Sequence, residues 1–339
     1  MKKELRKDAT LSGGSLKTSL LKGLRHVAFT MAEILLSLTI IGVVAAITLP
    51  SLTGNINERT WNTQRKALYS RMSQTVALMP SINGYGKLSE DEDGNVVEDT
   101  AAETFLSAGL SKVLKINNIC DSEHLQDCGL PSNFKALNGT TVSLPKTLNE
   151  YNTNFNADVW SNNKAIKTKS AAFETANGES VLTFYNPYCS SDKTIGIYHN
   201  KSVTPAMCAN FVYDLNGKKG PNTFGKDVGF ITIMYATDPM VVAPMPRSSF
   251  SSLYAEWADG AKICRAHGDE YKMPNIYELM AISFNKPLMD KFEAHNQTWS
   301  STPSTVSPAT SAINMSLSSV LWGNSKTVKA SILCVKRYW

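Results

Sequence analysis

The sequence predicts an α+β protein: a long N-terminal helix followed by a head built on antiparallel strands. Three observations carry this. Phe29 to Asn57 is almost uncharged, with Glu33 as its only ionisable side chain. Apolar residues then recur at helical spacing as far as Met79. Beyond Ser81 the pattern changes to the alternation of strands, with Gly and Asn at the turns. At 42% hydrophobic and 19% charged residues, with 20 Gly and 14 Pro in 339, the chain has the composition of a folded protein, which excludes collagen-like, coiled-coil and disordered classes. The net charge of +5 sits at one end. Seven basic and two acidic residues fall in residues 1–28, so the rest carries 27 of each sign and no nucleic-acid partner is expected.

Residues 1–28 read as a basic cytoplasmic leader and 29–79 as one helix. About 20 apolar residues cross a bilayer, so 29–53 suffices to span, leaving the basic leader inside and the remainder outside. A secretory signal peptide with Ile34 to Ala46 as its apolar region is the plain rival. Glu33 weighs against it, because a carboxylate at the edge of an apolar helix needs a neutralising partner. Gly42 and Ala46 form a small-x-x-x-small pair that lets helices approach closely. Pro50 removes a helical hydrogen bond and Gly54 weakens the next turn, which predicts local bending or melting. Trp61, Leu68, Met72, Val76 and Met79 then make an amphipathic stripe that should hold the head and end before Pro80.

Ala28-Phe29-Thr30-Met31-Ala32-Glu33 resembles the cleavage and methylation motif of type IV pilins and type II secretion pseudopilins, with Ala28 where that family usually has Gly. The resemblance covers about residues 20–80. It implies cleavage between Ala28 and Phe29 by a prepilin peptidase, methylation of the new amine, and Glu33 at mature position five with Pro50 at position 22. It also implies assembly through an inner-membrane platform, with Glu33 pairing with the Phe29 amine of an adjacent subunit.

The head divides by pattern into 81–254 and 255–339. Apolar alternation around Asn177-Gly178 predicts a hairpin within Lys164 to Tyr185, and Ile195 to Tyr198, Phe211 to Leu215 and Val228 to Tyr235 are further strands of a sheet laid on the helix. Between the last two, Asp214, Asn216, Asn222 and Asp227 are oxygen-bearing side chains that can fold around Ca²⁺. The EF-hand pattern is not met, since Lys218 falls at a ligand position, and a rigid Gly/Pro/Asn turn is the alternative. Gly220-x-x-x-x-Gly225-Lys226 copies the start of a P-loop, but Asp227 replaces the Mg²⁺-binding hydroxyl, which rejects nucleotide binding.

In 255–339, Ala255 to His267 reads as a helix stopped by Gly268, and Lys272-Met273-Pro274-Asn275 turns into a second helix bearing Glu278-Leu279. An uncharged Ser/Thr/Pro run to Ser319 and a strand pair, Val320 to Trp322 with Ala330 to Lys336, follow. The order Cys264, Pro-containing turn, Glu-Leu, Trp299-Ser300-Ser301-Thr302, Cys334 is similar to bacterial C-type-lectin-like surface domains, which implies a scaffold displaying loops to a surface ligand.

Six cysteines without a C-x-x-C pair read as disulfides in an exported segment. Fifteen pairings are possible, and nearest-neighbour closure favours Cys120–Cys128, Cys189–Cys208 and Cys264–Cys334. His124 and His267 offer a metal alternative beside Cys120/Cys128 and Cys264. There is no G-x-S-x-G or H-E-x-x-H, and only five histidines, so no enzyme and no cofactor beyond a candidate Ca²⁺ are expected. The reading is a pilus-type structural subunit with an adhesive or display head, placed in the inner membrane before assembly and in a surface filament after it. A type II secretion pseudopilin and a singly anchored surface receptor are the alternatives.

Overall fold

The computed structural model describes residues 30–82, 92–93, 97, 99–147, 150, 168–187, 207–235, 239–242, 245–246, 253–285, 288, 297–303, 307–315 and 321–337. The chain divides into two compact units, Met1–Ile56 and Asn57–Trp339. One helix, α1 (Met31–Ile82), supplies residues to both. It stays helical through Pro50 and Gly54, which corrects the expected local melting: the single hydrogen bond that Pro removes does not break a helix carried by the turns on either side. It also runs past Pro80 to Ile82 rather than stopping at Met79, since the residues beyond a proline can keep helical dihedrals for a last turn.

In the second unit the expected stripe is buried. Leu68, Met72, Val76 and Met79 share a core with Phe105, Leu106, Phe173, Tyr185, Phe211 and Ile231, and Trp61 packs at its edge. Each fully buried side chain of this size contributes about 1.5–3 kcal/mol. A short helix, α2 (Ala101–Thr104), continues through a π turn and a 3-10 turn to Lys112 and adds Ala101, Phe105 and Leu110 to that core.

The main sheet has six antiparallel strands in the order β1 (Ile116–Cys120), β4 (Ala171–Thr175), β5 (Ser180–Tyr185), β6 (Met207–Asp214), β7 (Val228–Tyr235), β8 (Pro239–Val242). The Asn177-Gly178 turn joins β4 to β5 as expected, with Gly178 at φ +85° where a side chain would be strained. The strand expected at Ile195 to Tyr198 lies outside the described residues. A two-stranded ribbon, β2 (Asn133–Lys135) with β3 (Thr141–Ser143), forms a separate sheet bridged at Lys135 to Thr223 in the segment between β6 and β7.

Both faces of this sheet are covered. Val181, Phe211, Ile231 and Ile233 face the α1 core, while their neighbours Leu182, Val212, Phe230 and Met234 face a second core with Cys128, Phe134, Leu279 and Met280. The second cover comes from the C-terminal portion: α3 (Trp257–Arg265) is followed by α4 (Ile276–Phe284), and α4 supplies Leu279, Met280 and Ala281. Asn275 caps α4 in a capping box, accepting from Glu278 N–H at 2.8 Å while the Glu278 carboxylate accepts from Asn275 N–H at 2.7 Å.

A five-stranded sheet has the order β10 (Leu253–Glu256), β15 (Lys329–Ile332), β12 (Thr298–Pro303), β13 (Ser311–Met315), β14 (Leu321–Ser325), and β9 (Met245–Pro246), β11 (Tyr271–Lys272) and β16 (Val335–Lys336) form a small third sheet. The Ser/Thr/Pro run contains β12 and β13, and buries Trp299 and Ala312 completely. One expectation is corrected here: the last two strands do not pair with each other. Both β14 and β15 run parallel to β12, and a three-residue link cannot reverse the chain between strands of one direction, so β12 and β13 stand between them.

Candidate functional site

Two features of the described residues have functional chemistry. The first is the N-terminal half of α1. Met31–Thr48 is apolar and long enough to cross a membrane, with a mean hydropathy of 2.2, and none of it is buried. Leu35, Leu36, Leu38, Ile41 and Val43 are each about 60% exposed and point to all sides of the helix. Gly42 has nothing near its missing side chain. At the start of the helix Thr30 and Glu33 cap one another: the Glu33 carboxylate accepts from Thr30 N–H at 2.9 Å and from its hydroxyl at 3.0 Å, and Glu33 N–H donates to Thr30 Oγ1 at 3.3 Å. The pattern Thr-x-x-Glu before an apolar run is the signature of such a cap, and it gives Glu33 a local role that the motif resemblance alone does not suggest. Ala28 and Phe29 lie outside the described residues, as does the side chain of Pro50.

The second feature is the turn from β6 to β7, which brings together Asp214, Asn216, Asn222 and Asp227. Asp214 ends β6 and is fully buried. Its Oδ1 accepts from Asn216 N–H at 3.1 Å, and its Oδ2 is buried without a hydrogen-bond partner. Asn216 donates its amide to the Gly220 carbonyl at 2.8 Å, which leaves Oδ1 buried and unpartnered. Asn222 sits at φ +51°, the one non-glycine in the left-handed region among the described residues, and its Oδ1 is in the same condition. Asp227, also fully buried, accepts from Asn222 and Thr223 N–H groups at 2.9 Å each. Burial, with the nearby Asp227 charge, pushes the Asp214 carboxyl up to about 7. Lys218, which the sequence places at a ligand position, lies exposed on a 3-10 turn, Gly217–Lys219.

The histidine-cysteine metal alternative fails. Cys120 is bonded to Cys128 and Cys264 to Cys334, so their sulfurs are not thiolate ligands. His124 instead meets Asp121 at 2.8 Å, which raises the imidazole above its ordinary value. Cys208 is also disulfide-bonded; Cys189, its expected partner, lies outside the described residues. Among the described residues no three His, Cys, Asp or Glu side chains cluster about a metal position.

Sequence reasoning missed two ion pairs that tie elements together. Arg71 of α1 meets the buried Glu179 beside the β4–β5 turn, and Arg337 grips the buried Glu278 of α4 through Nε at 2.5 Å and Nη2 at 2.7 Å. Both acids sit next to recognisable turns, but no sequence pattern names a partner 59 or 108 residues away. Arg337 also lines an open cleft of about 470 Å³ with Trp257, Arg265, Tyr271 and Lys272. No family model, curated protein or solved structure matches the chain.

Proposed function

We propose that the chain is a prepilin-type filament subunit, cleaved before Phe29 and N-methylated, whose head is exported for adhesion or display. The observation that carries this reading is α1. Its second half is the core helix of a folded head, while Met31–Thr48 presents apolar side chains all round and buries none of them. Such a surface requires lipid or other apolar helices. In the membrane, lipid covers it; after extraction by an assembly platform, the same residues of neighbouring subunits cover one another, with Gly42 and Ala46 allowing close approach.

In the filament, Glu33 pairs with the methylated Phe29 amine of an adjacent subunit. The Thr30 cap holds the carboxylate at the helix start, ready for that partner. The bound Cys120–Cys128 and Cys264–Cys334 pairs support a head that matures in an oxidising compartment. The C-terminal portion, similar to C-type-lectin-like surface domains, displays its cleft for a surface ligand.

N-terminal sequencing and intact-mass measurement of the protein from sheared surface filaments test the reading. The expected result is a chain starting at Phe29 and heavier by one methyl group. A chain starting at Met1, or near Ile47 as signal-peptide cleavage would produce, refutes it.

A further inference from the structure

The β6–β7 turn holds a combination that its hydrogen bonds leave unbalanced. Three side-chain oxygens, Asp214 Oδ2, Asn216 Oδ1 and Asn222 Oδ1, are buried with no donor to satisfy them. All three are acceptors, and they occur within nine residues. Each buried acceptor left unmade costs on the order of 1–3 kcal/mol, so natural loops rarely collect three. One water molecule has two hydrogens to donate, which cannot serve three acceptors. Two carboxylates, Asp214 and Asp227, are fully buried in the same turn, and among the described residues neither has an ion-pair partner.

The local bonds form two pairs that meet at Gly220. Asn216 bonds to Asp214, and Asn222 bonds to Asp227. The two asparagine amides flank Gly220: that of Asn216 reaches its carbonyl, and that of Asn222 lies 4.0 Å from where a Gly220 side chain would begin. We infer that this turn is a Ca²⁺ site, with Asp214 Oδ2, Asn216 Oδ1 and Asn222 Oδ1 as side-chain ligands and Asp227 supplying the second negative charge.

The donor set selects the ion. Carboxylate and amide oxygens without nitrogen or sulfur suit a hard cation, and an irregular loop suits Ca²⁺, which accepts six to eight oxygens in flexible geometry, better than Mg²⁺, which demands a near-ideal octahedron. Water and main-chain carbonyls complete the shell. With two formal charges, the affinity belongs in the range of about 10⁻⁴–10⁻³ M typical of extracellular modules. The turn is stapled to a neighbouring segment, since Lys135 N–H donates to the Asn222 carbonyl and Phe224 N–H to the Lys135 carbonyl, both at 2.8 Å. Bound calcium would therefore order β2 along with the turn.

The test uses the full-length chain in detergent, stripped with EDTA and titrated with CaCl₂ by calorimetry, with thermal unfolding in 5 mM CaCl₂ or EDTA. The expected result is one Ca²⁺ per chain and a melting temperature a few degrees higher in calcium, with no equal response to MgCl₂. Asp214→Asn should weaken binding about tenfold or more while melting in EDTA no lower than the parent, because the amide keeps an oxygen to accept from Asn216 N–H. Asn222→Asp, at a backbone position open to Asp, should bind more tightly. Absence of a calcium-dependent heat and melting shift overturns the site, as does equal binding by Asp214→Asn or an equal response to magnesium. Should Asp214→Asn not fold, Asn222→Asp decides: tighter binding upholds the site and unchanged or weaker binding overturns it.

Discussion

The two halves of α1 make an instructive contrast. Residues 31–48 are the more apolar and bury nothing, whereas 61–79 carry Arg65, Lys66 and Arg71 and bury Leu68, Met72, Val76 and Met79 almost completely. Burial therefore follows periodicity rather than hydrophobicity. A helix that is apolar on one side offers a single face to a sheet and leaves the other to water, as 61–79 does against Phe173 and Phe211. A helix that is apolar on every side cannot be satisfied by one sheet, and it requires a medium or a ring of neighbours.

Matched truncations should break this contrast if it is wrong. The largest effect is expected at Leu68, where Leu68→Ala opens a cavity in a core position only 1% exposed and should cost the head about 2–5 kcal/mol. The same change at Leu36, 62% exposed, should move the unfolding midpoint by less than about 0.5 kcal/mol equivalent. Thermal unfolding of both variants in one detergent checks this, and comparable losses at the two positions would contradict it.

An intermediate effect is expected at Arg71. Arg71→Ala leaves Glu179 buried beside the β4–β5 turn without its cation, a loss of about 1–3 kcal/mol. Adding Glu179→Gln should restore part of that loss, and denaturant unfolding of the single and double variants measures how much. Little or no change in head stability is expected at Glu33, where Glu33→Gln removes the charge yet keeps an acceptor for Thr30 and Glu33→Ala removes both. If the charge recruits subunits, both variants should insert in the membrane normally and both should yield few filaments. A normal filament yield from Glu33→Gln would assign the residue to the helix cap alone.

Local patterns made much of the fold legible. The 3.6-residue recurrence from Leu68 to Met79, the Asn-Gly turn and the β6–β7 strands all state their structure within ten or so residues. The cover on the outer face of the main sheet was not legible. Ile276–Phe284 is too uniformly apolar for its sequence to indicate which core it joins, and its partners in β5 to β7 lie far away in the chain. Strand β12 was hidden for the opposite reason: Ser and Thr occupy four of its six positions, and Trp299 is its one large apolar side chain. For the β6–β7 turn, the oxygen-bearing residues could be read directly, but Lys218 obscured them until its placement on an exposed turn was known. The Thr30–Glu33 cap was readable from spacing and was overshadowed by a more specific motif in the same residues.

The Cys264–Cys334 bond has a mechanical consequence. Its two ends are 70 positions apart in the chain but 5.3 Å apart between Cα atoms. Without the bond, strands torn from the five-stranded sheet would release roughly 230 Å of slack, at about 3.4 Å for each residue between the cysteines. With it, tension travelling along the chain to Val335 crosses a covalent shortcut. A pull at that end therefore leaves the strands between the cysteines outside the line of force, and the surface they display can keep its shape under traction.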